Sequence, residues 1–227
     1  MHLIAAVVIA SGYSRRMGQS KLALELGGIT FLDRAIAAAA GASRIARCLV
    51  VLRPEDVHLV GHPPPQPSPA GGAGAFLVVE GAWRVEIVPN EHAAEGQSAS
   101  IRLATERLFG DPDCQAIIFS VVDQPFLTSS VFDLLCEAAE ESPGQILVST
   151  YASQRGSPVL FPRRYFSELL GLEGDVGGRE IMRRHPEAVK EIAMPDSEAG
   201  RDVDTWEDYL LVRRAVTVTD TSAAAGI

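Results

Sequence analysis

Ile9-Ala10-Ser11-Gly12-Tyr13-Ser14-Arg15-Arg16-Met17-Gly18-Gln19-Ser20-Lys21 sets the architecture of this chain. It follows the apolar run Leu3–Ile9 directly, so a buried strand empties into a loop of small residues carrying three cations, Arg15, Arg16 and Lys21. Turns rich in Gly and Ser let successive backbone N–H groups point into one concavity, where anions settle. A Lys or Arg at the rim neutralises what amides alone cannot, so the loop suits a chain of phosphates. It is not a Walker A loop, because Gly18 is followed by Gln19-Ser20-Lys21 and no Gly-Lys-Ser/Thr closes it. It also lacks the glycine spacing of a dinucleotide fingerprint.

At 227 residues, 47% hydrophobic and mean hydropathy +0.12, the chain can bury one core, and two would be cramped. No apolar run reaches the roughly 18 residues that span a bilayer. No basic segment precedes Leu3–Ile9, which reads as a strand and not a signal peptide. Cys48, Cys114 and Cys136 form no paired motif and read as reduced thiols of a cytoplasmic protein. A net charge of −9 argues against nucleic-acid or anionic-membrane partners. Cations for anionic substrates must then be concentrated locally. Lys21 and Lys190 are the only lysines. A composition biased toward arginine accounts for their scarcity, yet one of them stands in the loop, where a compact ammonium acts as a mobile point charge.

Apolar runs alternate with amphipathic stretches, which predicts an α/β fold. Strands are expected at Leu3–Ile9, Cys48–Leu52, Val85–Val88, Ala116–Val122, Ile146–Thr150, Pro158–Phe161 and near Val189–Ile192. Helices are expected over Phe31–Ala40, with Thr30 and Asp33 as a capping box, over Ser98–Phe109, and from Thr128 to Glu140. Further helices are expected over Arg163–Leu170, Arg179–His185 and Asp204–Arg214. Residues 58–82, with Pro63-Pro64-Pro65 and several glycines, read as a flexible insertion. Residues 1–216 form the domain, and 217–227 read as a disordered tail.

Five further segments carry candidate chemistry. In an open parallel sheet the ligand lies beyond the carboxyl ends of the strands. Asp123, in Asp123-Gln124-Pro125, ends the Ala116–Val122 run and can hold Mg²⁺ against a triphosphate, or simply open the next helix. Asp202-Val203-Asp204-Thr205-Trp206-Glu207-Asp208 offers a second carboxylate, Asp204, although Asp204 with Glu207 would also make a helix start. Gly174-Asp175-Val176-Gly177-Gly178-Arg179 offers a glycine turn opening a helix, beside a cation. Glu95-Gly96-Gln97-Ser98-Ala99-Ser100 places amide and hydroxyl groups at a helix start, where they can read a base edge. Gly156-Ser157-Pro158-Val159-Leu160-Phe161 is the fifth. His2, His58, His62, His92 and His185 show no ligand spacing, so zinc is not expected. Ser11 and Ser14 lack a nucleophile elbow.

Taken in order, these segments resemble the nucleotidyltransferases of glycosyltransferase-A-like fold, and most of all the molybdenum cofactor cytidylyltransferases (MocA-type). Ser11 stands where that family has Ala, Gln97 where it has Met, Ser157 where relatives carry His, Gly178 for Ala and Trp206 for Pro. The resemblance implies a single-domain, three-layer, mostly parallel sheet with helices on both faces. It implies Mg²⁺-dependent transfer of CMP from CTP to the phosphate of molybdopterin, with release of pyrophosphate. Arg16, Lys21 and Asp123 would be catalytic, and Asp123 and Asp204 would hold the metal. Ala10, Ser11, Gly12, Ser14, Arg15, Arg16, Gly18, Lys21, Gln97 and Ser100 would bind the nucleotide. Gly156, Pro158, Asp175 and Arg179 would meet the acceptor, and a molybdenum-containing oxidoreductase would receive the product. The alternatives are a guanylyltransferase using GTP, a sugar-phosphate nucleotidyltransferase, and a cofactor carrier without catalysis.

Overall fold

A computed structural model describes residues 3–13, 17–18, 20–60, 66–67, 75–79 and 83–224. Strand β1 (Leu3–Ile9) leads through the loop to a hairpin, β2 (Glu25–Leu26) and β3 (Ile29–Thr30), then α1 (Phe31–Ala40) and β4 (Arg47–Leu52). Next come β5 (Gln66–Pro67), β6 (Ala75–Val79), β7 (Trp83–Pro89), α2 (Gln97–Phe109), β8 (Cys114–Val121) and α3 (Ser129–Glu141). The remainder is β9 (Ile146–Tyr151), β10 (Gln154–Pro162), α4 (Phe166–Leu170), α5 (Arg179–Arg184), β11 (Val189–Ala193) and α6 (Trp206–Ala224).

Among the described residues, nine strands form one sheet in the order β11-β9-β10-β8-β1-β4-β7-β6-β5. β8, β1, β4 and β7 run parallel at its centre. β10 is antiparallel to both β8 and β9, and β11 is parallel to β9. Successive side chains of a strand face opposite sides, so β1 feeds two separate cores. Ala6 and Val8 pack with α1, α3 and α6 through Phe31, Phe132 and Val212. Ala5, Val7 and Ile9 pack with α2, α4 and α5 through Ile101, Phe166 and Ile181. Both faces are apolar because both are covered, which gives the three-layer, mostly parallel arrangement.

Local chemistry sets several boundaries as expected. The Thr30 hydroxyl accepts from the Asp33 amide at 3.0 Å and donates to its carboxylate at 2.7 Å, capping α1. Thr128 precedes α3, but its hydroxyl bonds the Ser130 hydroxyl at 2.8 Å and makes no side-chain cap. Two expectations are corrected. Within 58–82, read as a flexible insertion, β6 adds antiparallel to β7 and β5 to β6, because Ala75–Val79 is an apolar run ending in two valines, hidden among glycines and prolines. The segments 61–65, 68–74 and 80–82 lie outside the described residues. The tail expected from Thr217 continues α6 as far as Ala224, since no Gly or Pro interrupts residues 206–224. All three cysteines are free and buried. No helix among the described residues is long and apolar enough to cross a membrane.

Candidate active site

The carboxyl ends of β1, β4, β7 and β8 converge on one edge of the sheet. Ala10, just past β1, donates its amide to the Val51 carbonyl at 2.8 Å. Asn90, just past β7, does the same to Leu52 at 2.6 Å. The loop therefore starts from a fixed platform. Gly18 has φ +69°, a left-handed conformation that glycine alone adopts without strain, and among the described residues no atom lies within 4 Å of where a side chain would project from Gly12 or Gly18. Tyr13 is exposed, and the Arg53 guanidinium lies 4.8 Å from its ring centroid. Ser14, Arg15 and Arg16 lie outside the described residues, and the roles expected of them lie there too.

Lys21 opens a 3-10 turn (Lys21–Ala23) preceded by Ser20, whose hydroxyl accepts from the Leu22 amide at 3.4 Å. Its ammonium donates to Asp204 Oδ1 at 2.7 Å and lies 3.8 Å from Asp123 Oδ2. Asp123 Oδ1 is buried with no partner among the described residues. Burial pushes the Asp123 carboxyl up to about 6. The Lys21 charge opposes that shift, while the neighbouring Asp202 and Asp204 charges reinforce it. One ammonium thus holds together two carboxylates that repel each other.

Asp204 is available to Lys21 because it does not cap α6. The cap is Thr205 with Asp208: the Asp208 carboxylate accepts from the Thr205 amide at 2.8 Å and hydroxyl at 2.7 Å, and the Thr205 hydroxyl accepts from the Asp208 amide at 3.2 Å. This corrects the expected pairing of Asp204 with Glu207 at the helix start. Thr-x-x-Asp makes the reciprocal cap one residue later.

The remaining motif residues form two groups. The Ser11 and Ser100 hydroxyls hydrogen-bond each other, and Asn90 Nδ2 donates to Ser100 Oγ at 2.9 Å. Ser11, Ser100 and Asn90 are all buried, so this chain of polar groups has a fixed geometry at the loop's entrance. Gln97 belongs elsewhere. It opens α2, its amide accepted by Asp175 Oδ1 at 3.2 Å, and its side chain packs on Gly177. Ser98 Oγ donates to the Gly174 carbonyl at 2.6 Å. Gly96 is required at this junction, because its φ is +104° and a Cβ there would fall 2.6 Å from the Asp175 Cα. The Glu95–Ser100 and Gly174–Gly178 segments are therefore one unit. Arg179 is exposed at the start of the six-residue α5. A concavity of about 510 Å³, lined by Glu95, Arg102 and residues 170–174, lies beside this unit and not over Asp123. Gly156 faces the Tyr151 ring and the Gln124 amide, and the Pro158 carbonyl accepts from Ser149 Oγ at 2.8 Å.

A strand-end loop bearing Lys21, an Asp past the adjacent strand and a late second Asp is a phosphate-handling arrangement. The MobA-like NTP transferase domain matches residues 6–189 of the chain. The chain belongs to the MobA-like NTP transferase family. It is 29% identical over 215 residues to the purine catabolism protein PucB of Bacillus subtilis, covering 94% of this chain and 98% of PucB. It is 28% identical over 153 residues to the molybdenum cofactor guanylyltransferase of Mesorhizobium japonicum, covering 67% of this chain and 63% of that one. The crystal structure of Rv0371c from Mycobacterium tuberculosis H37Rv matches with a TM-score of 0.71 at 27% identity, covering 94% of this chain and 98% of that one. Rv0371c has also been solved in complex with manganese.

As a member of the MobA-like family the chain is a nucleotidyltransferase. Two residues beside this candidate site have contacts that a motif reading does not give. Asn90 lies in none of the candidate motifs, although its place directly after a strand is the same signal that singles out Asp123. Gln124 is legible as the middle of Asp-x-Pro, but not the bonds its amide makes to Asp202 and Gly200.

Proposed function

We propose that the chain transfers CMP from CTP to the phosphate of molybdopterin, forming molybdopterin cytosine dinucleotide and releasing pyrophosphate. The observation that supports nucleotidyl transfer is the Lys21 ammonium set between Asp123 and Asp204 at the mouth of the Ser11–Lys21 loop, while the choice of CTP and molybdopterin rests on the resemblance of the motifs. Two carboxylates, one with a buried oxygen that has no partner among the described residues, are hard oxygen donors of the kind that take Mg²⁺ together with substrate phosphates. Asp123 and Asp204 would hold the cation, which when bound neutralises charge on the triphosphate. The manganese complex of Rv0371c supports a divalent cation in this fold.

The acceptor phosphate oxygen attacks the α-phosphorus; the new P–O bond forms as the α–β bridge breaks, and its electrons leave with pyrophosphate. A phosphate oxyanion is nucleophilic at neutral pH, so the chain needs no general base. Its residues act by positioning and by charge. Backbone amides from Gly12 to Gly18, with Arg15, Arg16 and Lys21, hold the phosphates. The buried Ser11–Ser100–Asn90 chain braces the loop entrance against which the pyrimidine would lie, and Gln97 acts on the acceptor side with Asp175 and Gly177. Gly156, Pro158 and Arg179 complete the acceptor side. The product would pass to a molybdenum-containing oxidoreductase in the cytoplasm.

The guanylyltransferase relative favours a second reading, with GTP as donor. The resemblance implies Gly-Gly in the loop of guanylyl members, so Ser11-Gly12 here, with Asp123-Gln124, weighs for CTP. Thermal melting with Mg²⁺ and CTP, GTP, ATP or UTP tests this. A nucleotide at 100 times its Kd adds about 2.7 kcal/mol. A shift with CTP alone is expected; a GTP-selective shift moves the assignment to the guanylyl reading, and no shift with any nucleotide favours a carrier.

A further inference from the structure

We infer that Gln124 is a positioning residue whose side-chain amide latches the late carboxylate loop onto the end of β8, keeping Asp204 within reach of Asp123 and Lys21. The inference rests on the reading of Asp123 and Asp204 as the cation-holding pair and goes beyond it, since Gln124 itself is assigned no contact with substrate.

Gln124 is 3% exposed. Its Nε2 donates to Asp202 Oδ1 at 2.9 Å and to the Gly200 carbonyl at 3.2 Å, while its Oε1 is buried without a partner among the described residues. The amide orientation is decided by those partners. Both are acceptors, and turning the amide over would set its carbonyl oxygen against a carboxylate and a second carbonyl. A glutamine that gives up one buried acceptor to satisfy two outward partners is spent on holding the loop. Two neighbours complete the hold. The Val203 amide donates to the Asp123 carbonyl at 2.8 Å. Gly200 lies flat on Tyr151, where a Cβ would fall 2.2 Å from the ring. Gly200, Asp202 and Val203 are thus each fixed, and the next residue is Asp204. Its 2.7 Å bond to Lys21 is set by where that loop is tied.

The test uses the full chain, with hydrogen exchange over residues 200–205 and Mn²⁺ binding in the presence of CTP, read from the paramagnetic signal of free Mn²⁺. Gln124→Glu sets a further acceptor against Asp202 and Gly200. It should speed exchange in that segment and weaken Mn²⁺ binding by about tenfold or more, the usual size of a supporting-residue effect on a metal site. Adding Asp202→Asn reverses donor and acceptor across the same contact, so the double variant should return both readouts to the level of Asp202→Asn alone. Unchanged exchange in Gln124→Glu overturns the latch, as does a double variant that fails to recover. Should Gln124→Glu not fold, Asp202→Ala against Asp202→Asn makes the same comparison, because both lose the charge and only the first loses the acceptor; equal exchange in the two overturns it. Wild-type protein that binds no Mn²⁺ with CTP overturns the cation-pair reading instead, and exchange still decides the latch.

Discussion

At pH 8, Asp123→Asn is expected to raise the thermal stability of this chain above that of the wild type while abolishing nucleotidyl transfer. Burial and the Asp202 and Asp204 charges push the Asp123 carboxyl from 3.8 up to about 6, against the opposing pull of Lys21. Ionising it in the folded protein therefore costs stability. A shift of that size corresponds to about 3 kcal/mol if the group were wholly shielded. Its side chain is 32% exposed, so solvent screening reduces the expectation to about 1–2 kcal/mol. In a chain of this size that is roughly 2–8 °C in melting temperature. The dependence on pH has a definite sign. Below the unfolded-state value near 4 both states are protonated and the cost is absent; it grows between about 4 and 6 and is constant above. Melting curves of wild type and Asp123→Asn at pH 4, 6 and 8 measure it directly, with pyrophosphate release followed in parallel. A variant no more stable than wild type at pH 8, or a gain equally large at pH 4, would show that ionised Asp123 carries no such cost.

Other substitutions probe the same site from its neighbours. Lys21→Ala removes the ammonium between Asp123 and Asp204, and kcat/KM should fall about 10²–10³-fold with the protein still folded; near-normal turnover with a matching melt contradicts its role. Gly96→Ala forces a Cβ onto Asp175 at φ +104°, and a loss of about 2 kcal/mol or more is expected in urea titration, together with loosening of the Gly174–Gly178 segment in hydrogen exchange. Ser100→Ala strands the buried Asn90 amide and should cost about 1–3 kcal/mol in the same titration, while raising the KM for CTP more than it lowers kcat.

Much of the fold is legible in the sequence because its strands and caps obey local rules. Leu3–Ile9 is a continuous apolar run and Ala116–Val122 is apolar apart from the buried Ser120, as a sheet covered on both faces requires, and Thr30 with Asp33 announces α1. The β9–β10 hairpin is less so. Its turn holds Ala152 and Ser153 at φ +47° and +68°, conformations usually signalled by Asn or Gly, so the antiparallel return of β10 leaves no turn signature. At the site, each motif is legible alone but not its spatial partner. Nothing local links Ser11 to Ser100, or Gln97 to Asp175, since those contacts are made across the sheet edge by packing of α2 and the Gly174 turn. The Asp204 ambiguity has the same origin: two acidic residues compete for one helix start, and only the placement of Thr205 shows that Asp208 takes it.

Joining a cytidylyl group to molybdopterin is the activity proposed for this member of the MobA-like family, and its product can be sought directly. The purified chain is incubated with Mg²⁺, molybdopterin and an equimolar mixture of the four ribonucleoside triphosphates, and the dinucleotide is identified by mass spectrometry. Molybdopterin cytosine dinucleotide, formed with an equal amount of pyrophosphate and absent in Asp123→Asn, is the expected product. Molybdopterin guanine dinucleotide, or no dinucleotide from protein that melts cooperatively, contradicts the proposal.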